Sequence, residues 1–298
     1  MKKGWLSILF VLMLFFSCAS EKETYQVQMV RDDRVGDVYE FMASGWQQVE
    51  EFIYQGEDVL TVEQSLTAVL NGTRKVLAVD RKHRSVSIEI IVEKCEIARK
   101  KGDVFKKILD PGSRVTVRRI NNAREFIMDG KPLPQDARAV FDLLITLAGE
   151  SDVDDDQVFG TSEPRFVGDQ WPIDTAAFVK GLGTETINLP GDTLKGEVTL
   201  EKIVDINGIR CLELKGRIDA SKLSIAQPGG FPLENGVFYF TFSTKLPMDT
   251  SLQALFAENR LDIEFTGKTT LKDQPDKVLP MRRFIRKQLR VAQKPLVE

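Results

Sequence analysis

The sequence predicts an α+β fold of mostly antiparallel, curved sheets, half-barrel-like, with one main helix packed across a sheet. Three observations lead there. Strand-favouring runs with two-residue alternation recur on both sides of the chain's middle. Turn dipeptides such as Asn71-Gly72, Asp129-Gly130 and Asn207-Gly208 fall between them. Beyond the start of the chain, only residues 134–148 repeat apolar side chains convincingly at helical spacing.

Lys2 and Lys3 precede an apolar run, residues 6–16, broken only by Ser7; Ser17, Cys18 and Ala19 follow. A charged start, a short apolar stretch and small residues read as a secretory signal over residues 1–17, too short to span a bilayer. A cysteine at this place predicts that Cys18 is acylated and becomes the first residue of a lipoprotein, although Phe15 stands where such signals usually carry Leu. The alternative is an ordinary signal that leaves a free thiol. Residues 18–35 then read as a tether. Loss of residues 1–17 removes Lys2 and Lys3 and takes the formal net charge from −3 to −5, which argues against a general nucleic-acid binder. An apolar content of 42% suits a globular fold and excludes disorder.

Residues 36–150 read as a strand meander followed by the helix. In it, Asn71-Gly72 predicts a hairpin turn, residues 80–84 a second turn, and residues 85–90 a strand with one buried face. Pro134 suits the helix start and Gly149 its end. The helix carries Val140, Phe141, Leu144 and Leu147 on one stripe, with Leu143 alongside, a candidate ligand-facing surface. An acidic linker over residues 151–170 leads to a second meander, residues 171–275, hinged on Asn207-Gly208. The two halves could be related by duplication, but no residue-level repeat supports it. Residues 276–298 read as a basic amphipathic tail. Arg282, Arg283, Arg286, Lys287 and Arg290 alternate with Met281, Phe284, Ile285 and Leu289 at roughly helical spacing. Such a segment either lies on an anionic membrane or packs on the domain with its charges outward.

Phe166-Val167-Gly168-Asp169-Gln170-Trp171 resembles the Val-Gly-Asp-Ser-Trp element of an uncharacterised family of bacterial exported proteins and lipoproteins. The order around it is similar too. Gly36-Asp37-Val38-Tyr39 comes first, then the helix, this element, an Asn-Gly hairpin and the strand Gly236-Val237-Phe238-Tyr239-Phe240. The resemblance implies a domain of unknown function and supplies no catalytic residues. Trp171 itself reads as a ring covering the sheet.

Little here points to catalysis. His83 is the single histidine and sits among Arg81, Lys82 and Arg84, so it has no histidine partner for a metal or triad. Asp152, Asp154, Asp156 and Glu163 match positions 1, 3, 5 and 12 of a calcium loop, but Gln157 replaces the turn glycine and Pro164 blocks a following helix. A solvated acidic linker is the expectation. Export would permit a Cys95–Cys211 disulfide, yet buried strand thiols are as natural, and neither cysteine has metal-ligand spacing.

No cofactor is expected. The expected function is a non-catalytic binding module of the bacterial envelope, held by its lipid and open to the periplasm or cell surface, more at the outer than the inner membrane. It would take a lipid or other hydrophobic ligand beneath the helix. The alternative is a scaffold that binds another envelope protein through a sheet edge or loop and has a filled core.

Overall fold

Two-residue alternation extends much further along the chain than its separate runs suggest. The computed structural model describes residues 23–100, 102–120, 123–147, 153–181, 187–226, 231–271 and 273–296. Within these residues fourteen strands form one open sheet in which every pairing is antiparallel. The first half contributes β1 (Val38–Gln55), β2 (Asp58–Val79), β3 (Ser85–Ala98), β4 (Lys106–Lys107), β5 (Arg114–Ile120), β6 (Ala123–Met128) and β7 (Lys131–Pro132). Helices α1 (Gln135–Leu144) and α2 (Asp155–Phe159) follow, then β8 (Gln170–Pro172), α3 (Thr175–Gly181) and β9 (Ile187–Asn188). The second half contributes β10 (Leu194–Ile206), β11 (Ile209–Ile225), β12 (Leu233–Pro247), β13 (Phe256–Leu271) and β14 (Gln274–Pro295).

The strand order is β7-β6-β5-β3-β2-β1-β14-β13-β12-β11-β10-β8, with β4 on β3 and β9 on β11. Each half is a meander, and the two meet at the centre where β1 pairs with β14 from Tyr39↔Pro295 to Ile53↔Met281. Cross-strand register and alternation place Phe41 and Ala43 of β1, Leu214 and Ile218 of β11 and Phe238 and Phe242 of β12 on one and the same face. Both apolar cores lie on that face. One gathers around α1 with Leu70, Ile88, Ile90 and Phe126, the other around Trp171, Leu200, Leu214, Ile218 and Phe265.

This architecture corrects the α+β expectation: the fold is largely β. Its helices among the described residues are short, of ten, five and seven residues. The reason is that the strands form one sheet and share one covered face, so three short helices and the loops between them can serve both cores. None of these helices is long and apolar enough to cross a membrane.

Several local expectations change with it. The Asn71-Gly72 pair makes no hairpin. It sits inside β2 at a register shift, and Gly72 has φ +159 with its Cα against the Ile91 carbonyl, so an added Cβ would strike that oxygen. Asn207-Gly208 does turn β10 into β11, with φ of 54 and 84. The helix ends at Leu144, because Ile145 turns extended at φ −109 and ψ 123.

Residues 276–295 belong to β14 and are no tail. Arg282, Arg286 and Arg290 project to the polar face of the sheet, where the flanking strands β13 and β1 supply their carboxylates. Arg282 pairs with Glu264, Arg286 with Glu50 at 2.9 Å, and Arg290 with Glu258 at 3.0 Å. Residues 23–35 are no free tether either, since they are bonded along the covered face, as described below. The predicted lipidation residue Cys18 lies outside the described residues.

Candidate functional site

α1 packs as the sequence implies, but it leaves no space beneath itself. Ala137, Val140 and Phe141 have no exposed surface, and Phe141 meets Phe126 edge-on with ring centroids 5.9 Å apart. Of the candidate ligand-facing stripe, Val140 and Phe141 are core. Leu144 and Leu147 reach the border of the core and line a cleft of about 360 Å³ with Asp33, Arg74, Ser85 and Gln293. The open space of the covered face therefore lies beside α1, between it and the α2–α3 pair.

The second meander builds the more apolar part of that space. Phe238, Phe240 and Phe242 alternate along β12, so all three rings stand on the covered face, 6.3–6.4 Å apart in sequence order. Phe159 of α2 packs on Phe242 at 4.8 Å, and Phe178 of α3 packs on Phe238 at 5.8 Å. Between these helices and the sheet a cleft of about 390 Å³ is lined by Val158, Phe159, Phe178, Phe238, Phe240 and Leu261, with Asp154 and Asp155 among its polar residues. The sequence reading missed this aromatic wall. The Phe-x-Phe-x-Phe spacing at 238, 240 and 242 was the available signal.

The acidic segment has work in the fold. Asp154 caps α2: its carboxylate accepts from the Gln157 amide at 3.0 Å, and the Gln157 side chain accepts from the Asp154 amide at 3.0 Å. Asp156 accepts the backbone N–H groups of Met29 and Val30. Glu163 pairs with Arg165 at 3.2 Å, and Asp152 lies outside the described residues. No group of three or more metal-ligating side chains stands together among the described residues. Asp155 borders both clefts. Its side chain is exposed at their rim, where the cleft walls displace part of its water and the Asp156 and Asp154 carboxylates stand alongside, and both effects push its pKa up.

Residues 23–35 run as a strap across the covered face. Tyr25 exchanges backbone hydrogen bonds with Arg165 at 2.8 and 2.9 Å, Val27 enters the second core, and Asp156 holds the middle. Arg31, buried, donates to the Pro247 carbonyl at 2.9 Å. Asp33, also buried, accepts from the Ser85 amide at 3.0 Å and pairs with Arg74 at 3.4 Å. The strap thus links both meanders.

The remaining predicted residues are scattered. Arg283 faces the covered side and pairs with Glu51 at 2.6 Å. Lys287 also faces that side, opposite Gln47 and Leu261 on the neighbouring strands. His83 sits in the β2–β3 turn at φ 55, and its carbonyl accepts the Asp33 amide. Cys95 and Cys211 are free thiols, buried in different parts of the sheet, and burial raises the pKa of both. Trp171 is buried, donates to the Phe159 carbonyl at 2.9 Å, and carries the Arg165 guanidinium over its ring.

No family model and no curated protein matches this chain. Among solved structures it is similar to Pseudomonas aeruginosa OccK2 (OpdF) in complex with glucuronate, at 9% identity and a TM-score of 0.20, covering 87% of this chain and 98% of that one. It is likewise similar to an outer membrane channel from Pseudomonas putida F1, at 10% identity and a TM-score of 0.17, covering 91% of this chain and 98% of that one. At these TM-scores the likeness carries no argument about what this chain does, and the site is read from its own residues.

Proposed function

We propose that this chain is a non-catalytic binding module of the bacterial envelope, anchored by lipid at Cys18, that holds a hydrophobic ligand on the covered face of its sheet. The observation that carries the reading is the aromatic cleft of about 390 Å³ between α2, α3 and β12, within the size range of about 300–1,000 Å³ typical of small-molecule sites. The ligand place shifts from beneath α1, where the core is filled, to this cleft beside it. The signal-like start and Cys18 support the anchor.

Native mass spectrometry of protein purified from its own host tests the ligand. A bound apolar molecule, lost when Leu261→Trp fills the cleft, is the expected result. Protein that carries nothing, and that takes up no apolar probe, sinks the reading. Cys18→Ala should release the protein from membranes into the soluble fraction, and a wild-type chain with an unmodified Cys18 thiol refutes the anchor.

A second reading, an envelope scaffold, rests on β2. Its residues 58–66 pair with β1 on one side, while pairing with β3 begins only at Thr67. Val59, Leu60 and Val62 are exposed there, so this edge offers backbone and apolar groups to an extended partner segment. Val62→Pro should abolish capture of such a partner and leave ligand uptake intact.

A further inference from the structure

We infer that the ligand of the cleft is a single-chain amphiphile with an anionic head, and that Lys287 receives that head. The inference rests on the cleft reading above and names the chemistry of its occupant.

The argument begins with charge pairing along β14. Arg282, Arg283, Arg286 and Arg290 each have a carboxylate, from Glu264, Glu51, Glu50 and Glu258 in turn. Lys287, among them, has no hydrogen bond or ion pair with any described residue. It is also one of the two on the covered face. The other, Arg283, is neutralised by Glu51. Lys287 is half-buried at the centre of the sheet; burial lowers its pKa, and the Arg124 guanidinium, itself paired with Asp142 at 3.8 Å, acts in the same direction. Arg124 reaches this region because it donates to the carbonyls of Asp142 and Ile145 at the C-terminal end of α1.

The Lys287 ammonium, half-buried and with no carboxylate paired to it among the described residues, has only solvent to balance its charge. An anion arriving from outside supplies the missing partner. Its tail has a place as well. Leu261, directly across from Lys287 on β13, is a wall of the aromatic cleft. Cross-strand neighbours on one face stand about 5 Å apart. A head on Lys287 therefore leaves a chain free to run over Leu261 toward Phe240 and Phe178. Asp155 at the rim works against an anion entering from its side, which sets the polarity: tail toward α2 and α3, head toward β14.

The test is calorimetric titration with decanoate and, separately, 1-decanol, using the wild-type mature protein and the variants Lys287→Met and Lys287→Arg. Lys287→Met keeps the length of the apolar stem and removes the charge, and far-ultraviolet circular dichroism with a thermal scan checks that it folds. Wild-type protein should bind decanoate at least about tenfold more tightly than decanol. Lys287→Met should erase that preference by weakening decanoate about tenfold while leaving decanol unchanged, and Lys287→Arg should keep it. Equal binding of both probes by the wild type, or decanoate binding that survives Lys287→Met, overturns the anionic head and leaves the cleft reading standing. If neither probe binds and Leu261→Trp changes nothing, the cleft reading has failed and this inference falls with it.

Discussion

Truncating Phe141 to alanine tests how completely α1 fills the space above the sheet. The ring has no exposed surface, packs edge-on against Phe126 at 5.9 Å, and belongs to the core with Leu70, Ile88, Ile90 and Leu144. Burying a phenylalanine side chain is worth about 1.5–3 kcal/mol in transfer alone. The strands cannot close the gap, because each is tied into the sheet on both sides, so a cavity penalty and the lost ring pair add to it. The total is about 4 kcal/mol, within the 3–5 kcal/mol usual for such truncations. Urea unfolding followed by tryptophan fluorescence reads this directly. With a slope of about 3 kcal/mol per molar, the midpoint should fall by more than about 1 M at unchanged slope. A loss below about 2 kcal/mol refutes the reasoning, since it would mean that the ring borders empty space and that α1 is a lid over a cavity after all.

Asp156→Ala should free the strap, because the N–H groups of Met29 and Val30 lose their acceptor. Hydrogen bonds to a charged group are worth about 1.5–3 kcal/mol, so hydrogen exchange at these two amides should accelerate at least about tenfold, and unchanged protection defeats the idea. Cys95 should resist a thiol-specific reagent at pH 8 until the chain unfolds, since burial pushes its pKa up to about 11. The sign follows from that direction. The unfolded thiol ionises near about pH 8.5, so the unfolded state releases its proton first. This contribution to stability is intact below that pH and is lost as pH climbs toward about 11. Prompt labelling of folded protein at pH 8 would contradict it.

What the sequence disclosed was local. The turn over residues 80–84, the Asn207-Gly208 hairpin and the buried face of residues 85–90 are all there, because short-range turn chemistry and alternation decide them. The failures share one cause. Met281, Phe284, Ile285 and Leu289 fit a helical stripe as readily as a strand, and nothing nearby chooses between them. The choice is made by Glu50, Glu51, Glu258 and Glu264 on the neighbouring strands, two of them more than 200 residues away. Asn71-Gly72 has hairpin chemistry but lies flanked by β1 and β3, and that pairing overrides a local turn preference. The candidate site was legible only in fragments. Lys287 stood out as basic, yet its isolation from carboxylates appears only once its strand is placed, and the aromatic wall needs α2 and α3 brought over β12.

The seam between β1 and β14 also sets when this protein can become itself. Its fifteen paired positions join residues 39–53 to residues 281–295, so the middle of the sheet is completed only when β14 arrives, after all the other strands of the sheet have been made. Until then β1 is an open edge at the heart of the molecule, and closing it means bringing together ends more than 200 residues apart, the kind of contact that slows folding. A late-closing sheet leaves its own centre unpaired for as long as β14 is missing. The same arrangement makes β14 the least expendable strand of the sheet. Removing β14 would not trim an edge but would divide the sheet at its centre, leaving two meanders with newly bared strands that invite pairing with other copies.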